Sequence, residues 1–275
     1  MYKRQEQSLI VEENIPRSAM VEKVDPLCPN ETGSINVSDV EGGIGPYRYS
    51  IDGGNSYQSV QTFDRIPAGT YAISIIDNND CALTDQVNIV APEEIELELD
   101  AEVHISLGDS ATLKPRTNLP ANEIADIIWS PPIGLSCDDC MQPMARPIKS
   151  QTYQLRVMDT NGCEATTTVQ FLVDTNPDIY VPNAFSPNNS DGVNDRFTVF
   201  ARASSIRVVK ILRIFDRWGT LVFEKANFDP NDPNLGWDGR FNNQPMRPQV
   251  FVYFAEVEMI DDRDLMIRGD VALVE

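Results

Sequence analysis

Histidine is almost missing from this chain: His104 is the only one among 275 residues. A Ser-His-Asp triad or a histidine-rich zinc site would have to be built on that single side chain. In Val103-His104-Ile105-Ser106-Leu107 the apolar partners alternate with it, which turns His104 away from a core. Nothing marks a catalytic pair among the carboxylates either, so the chain is read as a non-enzyme. Basic residues are also scarce, with 22 Lys and Arg against 42 Asp and Glu and a net charge of −20. Such a surface repels phosphate backbones and anionic lipid, which excludes nucleic acid as the expected partner. No apolar run approaches the ~20 residues of a spanning helix, and no amphipathic pattern outlasts two helical turns.

The N-terminus shows no apolar signal-peptide segment, because Met1-Tyr2-Lys3-Arg4-Gln5 is followed by polar residues. Met1–Gln5 resembles translated library-adapter sequence, so the natural N-terminus, with any export signal, is expected upstream. The acidity is uneven: residues 1–177 hold 27 acidic and 11 basic groups, whereas 178–275 hold 15 and 11.

What the sequence does have is strand signal. Short runs of Val, Ile, Tyr, Phe and Thr alternate with polar residues between Gly, Pro, Asn and Asp. One segment occurs twice. Thr70-Tyr71-Ala72-Ile73-Ser74-Ile75-Ile76-Asp77 leads to Cys81, and Thr152-Tyr153-Gln154-Leu155-Arg156-Val157-Met158-Asp159 leads to Cys163, 82 residues apart. That spacing is one small β-domain per copy. Each tyrosine either forms a tyrosine corner, as in immunoglobulin-like folds, or simply fills the core. Ala91-Pro92 with Glu93–Glu98, and Asp174-Thr175-Asn176-Pro177, read as junctions. The expectation is all-β: three tandem Ig-like β-sandwich domains strung end to end and not closely docked. Residues 1–26 are expected to be the remnant of a preceding module.

Glu41-Gly42-Gly43-Ile44-Gly45-Pro46-Tyr47-Arg48-Tyr49-Ser50 and Ile66-Pro67-Ala68-Gly69-Thr70-Tyr71 carry a family likeness. Residues 27–92 resemble an SprB-type repeat, a module strung in tandem along long bacterial surface adhesins. Residues 98–174 depart from that pattern at Trp129-Ser130-Pro131 and Gly134-Leu135-Ser136-Cys137, and look like an Ig- or PKD-like surface module.

The last hundred residues hold an ordered series of motifs. Pro182, Asn183, Phe185, Pro187, Asp191, Gly192, Asn194, Asp195 and Phe197 come first, then Arg217-Trp218-Gly219, then Trp237-Asp238-Gly239, and finally Gly269. Residues 178–275 resemble the gliding-motility-associated, type B C-terminal sorting domain of the type IX secretion system. The loop at Pro187–Gly192 is one residue longer than the family's usual Pro-Asn-Gly-Asp-Gly, and the chain ends in Glu275, not in a basic residue. The resemblance implies a sandwich with no cofactor. It implies two partners: an outer-membrane translocon with its surface-attachment machinery, and an unknown extracellular ligand. It places the protein outside a Gram-negative cell, secreted or on the cell surface. The chain then reads as the C-terminal part of a multi-repeat adhesin or gliding-motility protein, or else as the accessory and sorting tail of a secreted hydrolase. Two hairpins are expected in this tail, turning at Asp216–Gly219 and Asp261–Asp264.

Smaller features are weighed in the same way. In an exported protein, Cys28–Cys81 and Cys137–Cys140 are the expected disulfides. Cys163 is left unpaired, or it displaces one partner of Cys137-Asp138-Asp139-Cys140. The first bridge would close about 53 residues and contribute ~4 kcal/mol in the chain-entropy model. Asn188, Asp191, Asn194 and Asp195 are candidate Ca²⁺ ligands, although the EF-hand template fails because Pro187 and Thr198 fall where its carboxylates belong. An Asx-rich turn is the competing reading there, as it is for Asp77, Asn79 and Asp80 and for Asp159 and Asn161. Arg268-Gly269-Asp270 lies inside a strand pattern and is read as coincidence with the integrin tripeptide. Trp218 and Trp237 are read as core or cap residues.

Overall fold

In the computed structural model, described for residues 14–187, 194–202 and 204–274, strands succeed one another along the chain, and no α-helix occurs among the described residues. The chain is all-β, as the alternation predicts.

The first six strands are β1 (Pro16–Val24), β2 (Gly33–Gly42), β3 (Arg48–Ser50), β4 (Thr62–Ile66), β5 (Gly69–Ile76) and β6 (Ala82–Ile89). They form two three-stranded sheets, ordered β1-β2-β4 and β3-β5-β6. Ile35 and Val37 on β2 face Ile73 and Ile75 on β5, each separated by one intervening residue, and with Tyr49, Ile66 and Ile89 they make one core. A period of two in the sequence thus becomes one buried face per sheet. β1 pairs with β2 through Met20↔Ser38 to Val24↔Ser34. Residues 16–24, expected to end a preceding module, are therefore a strand of this sandwich. The expectation failed because most of β1's side chains are exposed and its alternation is faint.

The middle region contributes β7 (Leu97–Glu98), β8 (Glu102–Ser106), β9 (Ala111–Thr112), β10 (Arg116–Thr117), β11 (Ile124–Ser130), β12 (Met144–Ala145), β13 (Gln151–Asp159) and β14 (Glu164–Asp174). Its main sheet has the order β11-β13-β14-β8, with β8 parallel to β14. The tail comprises β15 (Ile179–Tyr180), β16 (Ala184–Phe185), β17 (Phe200–Ala201), β18 (Ile206–Phe215), β19 (Leu221–Phe228), β20 (Arg240–Phe241), β21 (Gln244–Pro245), β22 (Gln249–Met259) and β23 (Asp264–Leu273). Its principal sheet is five-stranded, β16-β23-β22-β18-β19. Both expected hairpins are present, β18–β19 and β22–β23.

The chain divides into two compact units. One holds the described residues up to Glu96 with Leu119–Ala125 and Met158–Ala165. The other holds Leu97–Asn118, Asp126–Val157 and the remainder from Thr166. Within the second unit, the middle region and the tail are docked, contrary to the loosely strung arrangement expected from the short junction. Leu107 and Val173 count among the buried residues of the tail's core. Arg202 Nη1 lies 2.6 Å from Asp109 Oδ2, and Arg263 Nη2 donates to the Thr175 carbonyl at 2.8 Å. A Cβ on Gly108 would collide with the Ser204 carbonyl oxygen.

The first unit carries a covalent tie that differs from the expected pairing. Cys28 is bonded to Cys163, not to Cys81, with the two Cα atoms 5.4 Å apart. A bridge needs Cα atoms within about 4.4–6.8 Å and converging Cβ vectors. Cys163, at the β13–β14 turn, meets that requirement, and Cys81 remains a thiol. Cys137 and Cys140 are bonded to each other.

The tyrosine alternatives divide. Tyr71 Oη donates to the Pro67 carbonyl four residues upstream at 2.8 Å, in the manner of a tyrosine corner. Tyr153 is fully buried and donates to the Ile133 carbonyl at 2.7 Å, so it fills the core and satisfies its hydroxyl across a long loop.

Candidate functional site

Several of the tail's motif residues are far apart in sequence and adjacent in space. The first segment lies alongside the last strand: β16 pairs parallel with β23, with Ala184 opposite Ala272 and Phe185 opposite Leu273. Ala272 N–H donates to the Asn183 carbonyl at 2.9 Å, and Val274 N–H to the Phe185 carbonyl at 3.0 Å. β23 is also hydrogen-bonded to β22 on its other side. The strand nearest the C-terminus is thus an interior strand. Its loss would open two ladders and remove Val271 and Leu273, which are buried.

Around this junction the aromatic motif residues converge. Phe185, Phe197 and Trp237 are buried with Phe251 and Tyr253. Ring centroids lie 5.3 Å apart for Phe185–Trp237, 4.7 Å for Trp237–Phe251 and 5.2 Å for Phe197–Tyr253. Phe197 and Trp237 exchange both backbone hydrogen bonds at 2.9 Å, and Trp237 Nε1–H donates to the Arg240 carbonyl at 2.8 Å. The indole therefore enters the core with its one polar atom satisfied. Gly239 has φ +75°, and a Cβ there would come within 3.1 Å of both Leu273 and Pro187. Gly269 stands opposite Tyr253 on β22, and a Cβ on it would come within 2.8 Å of the Tyr253 hydroxyl. Gly239 holds a left-handed backbone in tight contact, and a side chain at Gly269 would force the Tyr253 ring to shift. Beside Gly239 a polar cleft of about 290 Å³ is lined by Asp195, Arg196, Asp238 and Arg240 with Pro187 and Val274.

The Arg217-Trp218-Gly219 motif behaves differently. It forms the β18–β19 turn, and Trp218 is 78% exposed. This corrects its reading as a core or cap residue; only Trp237 enters the core. The turn is held by Asp216, whose Oδ1 accepts from the N–H groups of Trp218 at 2.9 Å and Thr220 at 2.8 Å. Partial burial pushes the Asp216 carboxyl up, but the N–H groups of Thr220, Trp218 and Gly219 and the Thr220 hydroxyl outweigh it, and the net shift is downward.

The same turn occurs twice more. Asp77 Oδ1 accepts from Asn79 N–H and Cys81 N–H, both at 2.9 Å. Asp159 Oδ1 accepts from Asn161 N–H at 2.9 Å and Cys163 N–H at 2.8 Å. The Asx-turn reading accounts for these carboxylates. The sequence repeat revealed two copies and missed the third, because Trp218 and Thr220 stand where the others have Asn and Cys.

Of the candidate Ca²⁺ ligands, Asn188 and Asp191 lie outside the described residues, as does Gly192 of the motif. Asn194 is described, with φ +55° and its carbonyl accepting from Ser186 N–H at 2.9 Å. The described residues contain no group of three or more His, Cys, Asp or Glu side chains arranged to hold a metal. His104 is exposed beside Glu102, with Nε2 3.7 Å from its carboxylate. Arg268 and Asp270 project from β23 as exposed strand residues on either side of Gly269.

Comparison with known proteins fits this geometry. The family model of the CHU_C type IX secretion signal domain matches residues 179–271, and that of the SprB repeat matches residues 21–56. The second match begins within β1, in keeping with that strand's place in the first sandwich. Among solved structures, the chain is similar to a tetra-tandem repeat in the extending region of a large adhesion protein. That pair shares 13% identity over 93% of this chain and 75% of the other, with a TM-score of 0.33. It is also similar to Dpr2 Ig1-Ig2 in complex with DIP-Theta Ig1-Ig3, at 12% identity over 94% and 99%, with a TM-score of 0.31. A search of curated proteins returns no match. The two family matches indicate a secreted or cell-surface protein of a Gram-negative bacterium. Both are of secretion-signal and repeat type, not catalytic. The signal-domain match implies interaction with the type IX secretion machinery.

Proposed function

We propose that this chain is the C-terminal part of a multi-repeat adhesin or gliding-motility protein. Residues 16–92 and 98–174 serve as stalk modules, and residues 178–275 direct export and surface attachment through the outer-membrane type IX translocon. The stalk presents, or leads up to, the surface that meets an extracellular ligand. One observation carries the reading: Phe185, Phe197, Trp237 and Gly239 of the motifs gather around the junction of β16 with β23, and there they build a packed shape. Glycines 239 and 269 set close packing, Phe185, Phe197 and Trp237 fill the core, and the chain's last strand closes the sheet. This arrangement supports recognition of the tail by its folded form.

The test is a periplasmic reporter joined ahead of the chain, provided with an inner-membrane export leader, in a host that has the type IX apparatus. Surface labelling of the reporter is expected, and truncation before β23 should leave it in the periplasm. Periplasmic retention of the untruncated fusion would sink the reading.

A further inference from the structure

The first sandwich, the middle region and the tail each close with a hairpin, β5–β6, β13–β14 and β22–β23. The turns of these hairpins are built alike. Asp77 N–H donates to the Cys81 carbonyl at 3.1 Å, Asp159 N–H to the Cys163 carbonyl at 3.0 Å and Met259 N–H to the Arg263 carbonyl at 2.8 Å. The residue just before that carbonyl is left-handed each time: Asp80 with φ +58°, Gly162 with φ +91° and Asp262 with φ +67°. The second residue of each turn donates to a carbonyl that precedes the flanking strand. Asn78 reaches Ile44 ahead of β3, Thr160 reaches Glu123 ahead of β11, and Ile260 reaches Ser205 ahead of β18. Cys81, Cys163 and Arg263 therefore occupy one structural position.

In the middle region and in the tail, that position reaches back to the region before it. Cys163 is bonded to Cys28, in the loop between β1 and β2. Arg263 Nη2 donates to the Thr175 carbonyl, just past β14. The first sandwich has Cys81 at the same place, half-buried and unbonded, whereas Cys28, Cys163, Cys137 and Cys140 are all paired. An exported protein passes through an oxidising compartment, where an odd cysteine points to a bond with another segment or chain. The second copy of the turn shows which kind of partner fits: a cysteine in a loop of the module before.

Resting on the stalk role proposed above, we infer that Cys81 forms a disulfide with a cysteine of a β-module that precedes this one in the full-length protein, at that module's counterpart of Cys28. The two thiols give up two electrons and two protons to the disulfide of a periplasmic thiol–disulfide oxidoreductase, which is reduced to a dithiol as the new S–S bond forms. Cys28–Cys163 is then one link of a series in which each closing hairpin is bonded to the module before it. The tail departs from the series, because Arg263 stands in the cysteine's place and a hydrogen bond replaces the covalent one.

The test is peptide mapping of the whole protein taken from the surface of the cells that make it, blocked with iodoacetamide and digested with trypsin before any reduction. Trypsin separates Cys81, on residues 66–116, from Cys28, on 24–48, and from Cys163, on 157–196. The 66–116 peptide is expected joined to a cysteine peptide from the preceding module and released only by reduction. Cys81→Ser should open that upstream cysteine to iodoacetamide and leave the Cys28–Cys163 pair in place. Alkylated Cys81 beside an intact Cys28–Cys163 pair would overturn the link and leave the stalk role standing. So would a bond from Cys81 to a second copy of the protein or to another of these five cysteines. Alkylated Cys28 and Cys163 would overturn it as well, by removing the pattern it extends. A catalytic domain in place of a β-module directly ahead of residue 16 would take down both the link and the stalk role.

Discussion

The first sandwich and the tail bury their apolar residues in different ways. The first sandwich relies on alternating aliphatics, and Tyr49 is the one aromatic ring among its fully buried core residues. It is tied at its edge by the Cys28–Cys163 bond. The tail has no cysteine and buries six aromatic residues: Phe185, Phe197, Phe228, Trp237, Phe251 and Tyr253. Those rings come from the start, the middle and the end of the tail. An aliphatic strand face can be laid down locally, one hairpin at a time. An aromatic cluster drawn from distant segments forms only when the whole tail is present. The difference suits the two tasks proposed for them: a stalk module needs only to persist, whereas a signal read by its shape must report that its fold is complete.

The sharpest way to break this contrast is at Trp237. Trp237→Ala should destabilise the tail by about 3–5 kcal/mol through loss of burial and the cavity left behind. Hydrogen exchange of β22 and β23 should show it, with β2 and β5 unaffected. A matching loss of protection in β2 and β5 would mean that the two cores are not independent. Next in size is the disulfide. Cys28→Ser with Cys163→Ser should cost the first unit about 2–4 kcal/mol, because the bond spans 135 residues of chain. Calorimetry should record a lowered transition for the first unit and an unmoved one for the tail.

The smallest effect is acid sensitivity, which both regions should share. Burial pushes the Asp77 carboxyl up, but the backbone N–H groups of Cys81, Ile44 and Asn79 more than reverse this, leaving it below the ordinary value. Asp216 is lowered in the same manner. A carboxylate with a depressed folded pKa stabilises the fold above its unfolded pKa, about 3.9. That stability is lost as pH falls through the lower, folded value. Asp77→Asn should flatten the decline of stability below about pH 4 in the first sandwich alone, and Asp216→Asn in the tail alone. Thermal melts across that range would read both, and an unchanged slope in Asp77→Asn would remove the carboxylate from the account.

Much of the fold was legible in the residues. The alternation in Ile35–Val37 and Ile73–Ile75 gave the buried faces, and Asp216–Gly219 and Asp261–Asp264 marked their hairpins. The candidate site was legible as an ordered set of motifs, but not as a place. Arg217-Trp218-Gly219 and Gly236-Trp237-Asp238-Gly239 look alike locally, each with Trp beside Gly and near Asp. One indole is exposed and the other enclosed, because Trp237 bridges to Phe197 some forty residues away whereas Trp218 stands in the turn of a two-stranded hairpin. β1 was missed because its faint alternation gives no face to read.

Taken alone, the order of residues determined strand periodicity, turn chemistry and the cast of the tail's motifs, since those depend on the period of two and on side chains within a few positions of one another. Only the tertiary structure decided that Cys28 meets Cys163, that β23 lies between β16 and β22, that Leu107 and Val173 close one end of the tail's core, and which tryptophan faces out. Each of these is a choice among distant partners. Such choices are settled by which segments can be packed together without voids or collisions, and no local pattern encodes that.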